Sequence, residues 1–156
     1  MSWTNYHSHT KYCDGSDEPH LYAEKAVDLG LAAYGFSSHA PTPFFNAWAM
    51  DEERLRSYVR EIKQLRDAWK NHIQIYCGLE VDYVPNVMGP RSLFIRDADL
   101  DYTIGSVHFE DAFEDGKPWE IDGTSKIFEE GLNQIFDGNP QAAVKRYFEL
   151  TRQMVM

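Results

Sequence analysis

Cysteine is nearly absent from these 156 residues: only Cys13 and Cys77 occur, too few for a disulfide framework. On compartment grounds they read as buried or idle thiols in a reducing cytoplasm. A long apolar run is missing too. The longest uncharged, mostly apolar stretch is Leu29 to Ser38, against the ~20 residues of a membrane helix, so no membrane partner is expected. The start, Met1-Ser2-Trp3-Thr4-Asn5-Tyr6-His7, lacks a basic segment and an apolar signal core, and a cytoplasmic location is the expectation. Positive charge is scarce. The 15 Lys and Arg against 25 Asp and Glu leave a formal charge of −10, which speaks against nonspecific nucleic-acid or anionic-membrane binding. An anionic substrate would need another attractor, and bound cations would serve.

What is present suits one globular α/β domain: 43% hydrophobic residues, 10 Gly and 7 Pro, with no repeat or low-complexity segment. Short β-type runs alternate with helical patterns, the mark of βα units around a parallel sheet. Trp3 to His9 reads as a first strand. Ser16 or Asp17 can cap a helix with Pro19 in its first turn, and Gly30 sits where it should stop. Ala32 to Ser37 is a second strand. Asp51 then opens the clearest helix, with Leu55, Tyr58, Val59, Ile62, Leu65 and Trp69 on one face. Ile73 to Leu79 and Tyr102 to Val107 read as the third and fourth strands, separated by a short helix within Gly89 to Asp97. Thr124 to Phe136 is helical, and Asn139-Pro140 starts a last helix to about Val155. About four βα units result, half of a (β/α) barrel or a small open sheet.

Metal-ligand residue types recur at one end of these strands. His7 and His9 are two apart on the first strand and so share a face. Asp14 lies in the turn Cys13-Asp14-Gly15, and His39 just past the second strand. Glu80 lies just past the third strand and His108 ends the fourth. Singly, each has an ordinary explanation: a surface histidine, a turn aspartate bonding its own backbone, a carboxylate marking a strand's exit into water. Jointly they crowd the C-terminal edge of a parallel sheet, where α/β folds bind ligands. Strands ~4.8 Å apart can share one cluster, so a common metal site is expected. Neither cysteine has Cys-x-x-Cys spacing, and both stay outside the ligand set. His20 and His72 read as surface or packing residues.

These segments resemble the polymerase and histidinol phosphatase (PHP) superfamily, in its histidinol-phosphatase branch. The resemblance rests on His7-Ser8-His9-Thr10, Cys13-Asp14-Gly15, Phe36-Ser37-Ser38-His39-Ala40-Pro41, Gly78-Leu79-Glu80-Val81-Asp82-Tyr83 and Asp101 to Phe109 (DYTIGSVHF), in that order. It implies a distorted (β/α)7 barrel, here only about its first four βα units, with up to three divalent metals at the strand ends. His7 and His9 would bind one metal. Glu80 would bridge it to a second that His108 also ligates, while Asp14 and His39 hold a third. Through those metals Glu80 and His108 would be catalytic. The branch usually carries Asp where this chain has Ser38. Its later strands supply another His in a Gly-His-Leu-Asp-like segment and an Asp-x-His pair. No histidine follows His108 here. The resemblance therefore implies a domain incomplete at its C-terminus, to be completed by a further segment or a homo-oligomer.

The activity implied is hydrolysis of L-histidinol phosphate to L-histidinol and phosphate, in histidine biosynthesis. Other phosphoesterase chemistry on nucleotides or small phosphate esters, or an inactive metal-binding fragment, are the alternatives. A phosphate monoester resists hydrolysis strongly. A metal pair roughly 3.5–4 Å apart activates water and clamps phosphoryl oxygens. Mixed nitrogen and oxygen ligands favour Zn, Mn or Fe over Mg or Ca. Lys11, Arg91 and Arg96 are candidate phosphate contacts or ordinary surface charges. The expected partner is thus a small phosphate ester; the acidic balance speaks against nucleic acid.

Overall fold

A computed structural model describes residues 3–156. The chain divides into two compact units, Met1–Val81 with Arg91–Ile104, and Asp82–Pro90 with Gly105–Met156.

The first unit alternates strand and helix: β1 (Thr4–Asn5), α1 (Pro19–Asp28), β2 (Ala33–Phe36), α2 (Glu52–Trp69), β3 (Gln74–Asp82), α3 (Leu93–Arg96), then β4 (Tyr102–Ser106). The sheet order is β1-β2-β3-β4, with β1–β2 and β2–β3 parallel. Sequential order with a helix in each crossover is how a (β/α) barrel wall grows, and the sheet curls as half of one. All four residues of β2 are buried, as strands covered on both faces should be. On α2, Leu55, Tyr58, Val59 and Ile62 are buried, the three-to-four spacing made physical.

On β3, Ile75, Cys77, Leu79 and Val81 form one buried face, while Gly78 on the other meets the Tyr102 ring. A Cβ at Gly78 would stand 2.5 Å from Tyr102 Cζ, and one at Gly35 would stand 2.4 Å from its hydroxyl. The phenol fills the space two glycines vacate, and its hydroxyl lies 2.7 Å from the Tyr6 carbonyl and 3.0 Å from that of Phe36. One aromatic side chain therefore ties the chain segments of three strands together.

Several boundaries differ from the sequence reading. The paired part of the first strand is only Thr4–Asn5; beyond it Ser37 N–H donates to Ser8 C=O at 2.9 Å, keeping the chain alongside. Helix α1 is entered from Glu18 rather than Ser16 or Asp17, because Pro19 fixes the first helical φ and no side chain caps the end. β3 runs through Asp82, so Glu80 belongs to the strand and is buried instead of marking its exit into water.

The second unit holds an antiparallel pair that the sequence reading lacks, β5 (Phe109–Ala112) with β6 (Pro118–Glu120), followed by α4 (Ser125–Phe136) and α5 (Pro140–Val155). Its centre is Trp119, fully buried, whose Nε1–H donates to Ile127 C=O at 3.1 Å and whose ring meets Phe128 and Phe136. The expected caps are present: Thr124 Oγ1 accepts from Ile127 N–H, and Asn139 Oδ1 from Gln141 and Ala142 N–H. No helix among the described residues is long and apolar enough to cross a membrane.

Candidate metal centre

Strand alternation puts Glu80 on the face of β3 that Gly78 also occupies. Its carboxylate is 4% exposed, a position that costs several kcal/mol unless charge or hydrogen bonds compensate. The compensation is histidine. Glu80 Oε2 lies 2.9 Å from His7 Nε2, 3.0 Å from His9 Nε2 and 3.4 Å from His39 Nδ1. Nε2 of His7 and Nε2 of His9 are 3.2 Å apart, as the i, i+2 spacing anticipates.

Local backbone explains why these side chains meet. His39 bridges in parallel to Glu80, with Ala40 N–H donating to Glu80 C=O at 2.8 Å and Glu80 N–H to Ser38 C=O at 3.1 Å. Ser38, where Asp is usual in the branch, spends its hydroxyl on Thr10, accepting from its N–H at 3.3 Å and pairing with its Oγ1 at 2.9 Å. That tie holds the segment after His9 against the segment before His39. The turn at Cys13 folds back, its N–H and that of Gly15 both donating to Thr10 C=O. Asp14 is thereby delivered to His9: Nδ1–H donates to Asp14 Oδ1 at 2.8 Å, while Asp14 Oδ2 stands 3.9 Å from His39 Nε2. Edge-on contacts with His9 and a tilted one with Trp48 hold the buried His39 ring.

The electrostatics favour positive charge here. Cys13 and then Glu80 raise the His9 imidazole to about 11 against the pull of burial, with Asp14 adding to the rise. Burial works to raise the Asp14 carboxyl, yet its hydrogen bonds with His9 and Cys13 leave it below its ordinary value. The Cys13 thiol is likewise raised by burial but lowered overall by His9 and Ser38. A divalent cation would meet the same demand for positive charge. The donor set fits one: His7, His9 and Glu80 offer atoms within 4.8 Å of one another, as do His9, Asp14 and His39. These nitrogen and carboxylate donors suit Zn, Mn or Fe. Cys13 joins neither group.

The second unit places His108 beyond β4, with its Nδ1 2.9 Å from Asp82 Oδ1 and its Nε2 3.8 Å from Asp122 Oδ2. Burial raises the Asp122 carboxyl, and His108 opposes the rise. Sequence reasoning assigned no role to Asp82, Asp122 or Trp48. Asp82 had a signal, two residues beyond Glu80 on one strand face; Asp122 had none, since the hairpin that positions it was not recognised. Lys11 is engaged with Glu18, Arg91 is exposed just before α3 and Arg96 exposed at its last position, His20 is exposed on α1, and His72 lies against Trp69.

A half-barrel wall with imidazoles and a carboxylate gathered at its C-terminal edge defines a class of α/β metal-binding domain. Residues 5–152 match the PHP domain family, and the chain belongs to that family. It is 34% identical to a "Probable histidinol-phosphatase" of Deinococcus radiodurans over 106 residues, 66% of this chain and 41% of that protein. It is also 34% identical to the histidinol-phosphatase of Bacillus subtilis over 115 residues, 66% of this chain and 42% of that one. The chain thus spans about two fifths of the length of these curated relatives. A crystal structure of a "putative histidinol phosphatase" from Listeria monocytogenes superposes with a TM-score of 0.77 at 22% identity, covering 97% of this chain and 60% of that one. The likeness establishes the fold.

Proposed function

We propose that this chain carries the metal-binding edge of a PHP-type phosphoric monoester hydrolase that cleaves L-histidinol phosphate to L-histidinol and phosphate. The observation that supports it best is the convergence of His7, His9 and His39 on one oxygen of buried Glu80. The names of the curated relatives point to the substrate. His7, His9, Asp14, His39, Glu80 and His108 are the ligands we assign, His108 on the strength of its motif, to Zn, Mn or Fe. Bound there, such ions supply Lewis acidity and an activated water.

The chain's own contribution is arrangement. As ligands of a cation, His7, His9 and His39 would bring neutral nitrogen donors, and Glu80 an anionic carboxylate. Asp14 accepts a hydrogen bond from His9 Nδ1–H, which leaves Nε2, on the Glu80 side, as the nitrogen that would ligate an ion. Burial of Glu80 and His39 keeps both from being diluted by water. An acidic chain of charge −10 can attract a phosphate only where the local charge is reversed, and this edge is where cations would do that.

The test is phosphate release from L-histidinol phosphate by the purified chain reconstituted with Zn, Mn or Fe. Metal uptake is expected, and Glu80→Gln should lose metal together with any turnover while its circular dichroism stays unchanged. Normal turnover in Glu80→Gln removes that residue from its role. A folded parent that takes up no metal overturns the reading, whereas a metal-loaded parent without turnover shows that these 156 residues alone do not complete the catalytic site.

A further inference from the structure

Asp82 is 2% exposed, at the last position of β3, and Oδ1 of its carboxylate gathers three donors. His108 N–H donates to it at 3.2 Å, His108 Nδ1–H at 2.9 Å, and the Ser106 hydroxyl at 3.5 Å. An ionised carboxylate has only acceptors, so the ring nitrogen facing it must carry the hydrogen. The neutral His108 ring is then the Nδ1–H tautomer, with the lone pair on Nε2. Nε2 looks toward Asp122 Oδ2 at 3.8 Å, an acceptor facing an acceptor. Such a pairing is favourable when a cation lies between the two.

We propose that Asp82 is a positioning residue for metal binding: it clamps the backbone and the ring of His108 through one oxygen, so that Nε2 is presented as a ligand toward the side where Asp122 stands. This rests on the assignment of His108 as a metal ligand, but it adds a residue to which that reading gives no task. Carboxylates behind ligating histidines fix the tautomer and raise the basicity of the donor nitrogen. Asp82 does so with a clamp on the main chain as well, which limits rotation of the ring about its own Cα. Asp82→Ala removes the oxygen that all three donors share, so Nδ1–H loses its acceptor and the Nε2–H tautomer, which blocks the ligand nitrogen, is no longer disfavoured.

The experiment uses the full chain labelled with 15N, stripped of metal by a chelator, and read by long-range 1H–15N correlation of the imidazoles, then titrated with Zn. The parent should show His108 with its hydrogen on Nδ1, and Zn should shift its Nε2 resonance. Asp82→Ala should move His108 to the Nε2–H form and weaken Zn binding about 10–100-fold, with the amide spectrum otherwise preserved. Ser106→Ala, which removes the longest of the three contacts, should leave tautomer and affinity as they were. A parent with the hydrogen on Nε2 overturns the proposal whether or not Asp82→Ala folds, as does an Asp82→Ala chain that retains both tautomer and affinity. A parent of the expected tautomer whose His108 ignores Zn instead overturns its assignment as a ligand.

Discussion

A Cβ at Gly15 would stand 2.4 Å from the His9 carbonyl carbon and the Thr10 nitrogen. Both are main-chain atoms, so neither can swing aside, and only glycine lets the Asp14 turn close on His9. Gly15→Ala should therefore cost roughly 1–3 kcal/mol, as overpacking does, and should weaken Zn uptake; thermal melts and isothermal titration would check the two effects. Cys77 makes a second case at this scale. It is 1% exposed, and burial, then Asp101, pushes its thiol up to about 12. Iodoacetamide at pH 8 should leave Cys77 unlabelled in the native chain and label it in urea, as counted by mass spectrometry. The sign of its pH effect follows. The folded thiol keeps its proton to about pH 12, whereas the unfolded one releases it near 9.0. Its contribution to stability is thus complete below pH 9 and lost as pH rises from there to 12. Buried Tyr58 and half-buried Tyr102, whose hydroxyls are also raised by desolvation, add in the same direction. Cys77→Ala should flatten part of the alkaline decline in denaturant midpoint.

Elements with a strong period were legible. α2 could be read because an amphipathic stripe eighteen residues long leaves little ambiguity, and α4 and α5 because Thr124 and Asn139 are caps that act within a few residues. The β5–β6 pair was not. Asp115-Gly116 between the strands is a turn signal, and Gly116 has a φ of +83°. But the flanking Phe109-Glu110-Asp111-Ala112 shows no clean alternation, and Glu110 is buried against expectation. The limits of β3 were missed for a related reason: a carboxylate at Glu80 looks like a strand end until its histidine partners are known. Pairing between elements was also invisible in the sequence. Gly35 and Gly78, on two different strands, are the sockets for Tyr102. Gly78→Ala should lower stability by about 1–3 kcal/mol, and the loss should shrink in a Tyr102→Ala background, a coupling that a double-mutant cycle in urea would measure. Tyr102→Phe, which keeps the ring and loses its hydroxyl, should cost about 0.5–1.5 kcal/mol.

For the molecule as a whole, metal should act as a ligand of the native state. Anything that binds the folded chain at 100 times its Kd adds about 2.7 kcal/mol. Chelator should accordingly lower the melting temperature of the metal-loaded chain and leave that of Glu80→Gln almost unmoved; scanning calorimetry would show it, and equal shifts in both would place the metal elsewhere. The residue order by itself determined the alternation of strands and helices, the sheet edge at which ligand-type residues accumulate, and the family, because periodicity, caps and motif spacing are local properties of a chain. Tertiary structure alone decided that Glu80 is buried with three imidazoles around one oxygen, that Ser38 ties Thr10, and that Asp82 stands behind His108. Those relations join residues up to 73 positions apart, and only the pairing of strands brings such distant groups within the few ångströms at which charge and hydrogen bonding act.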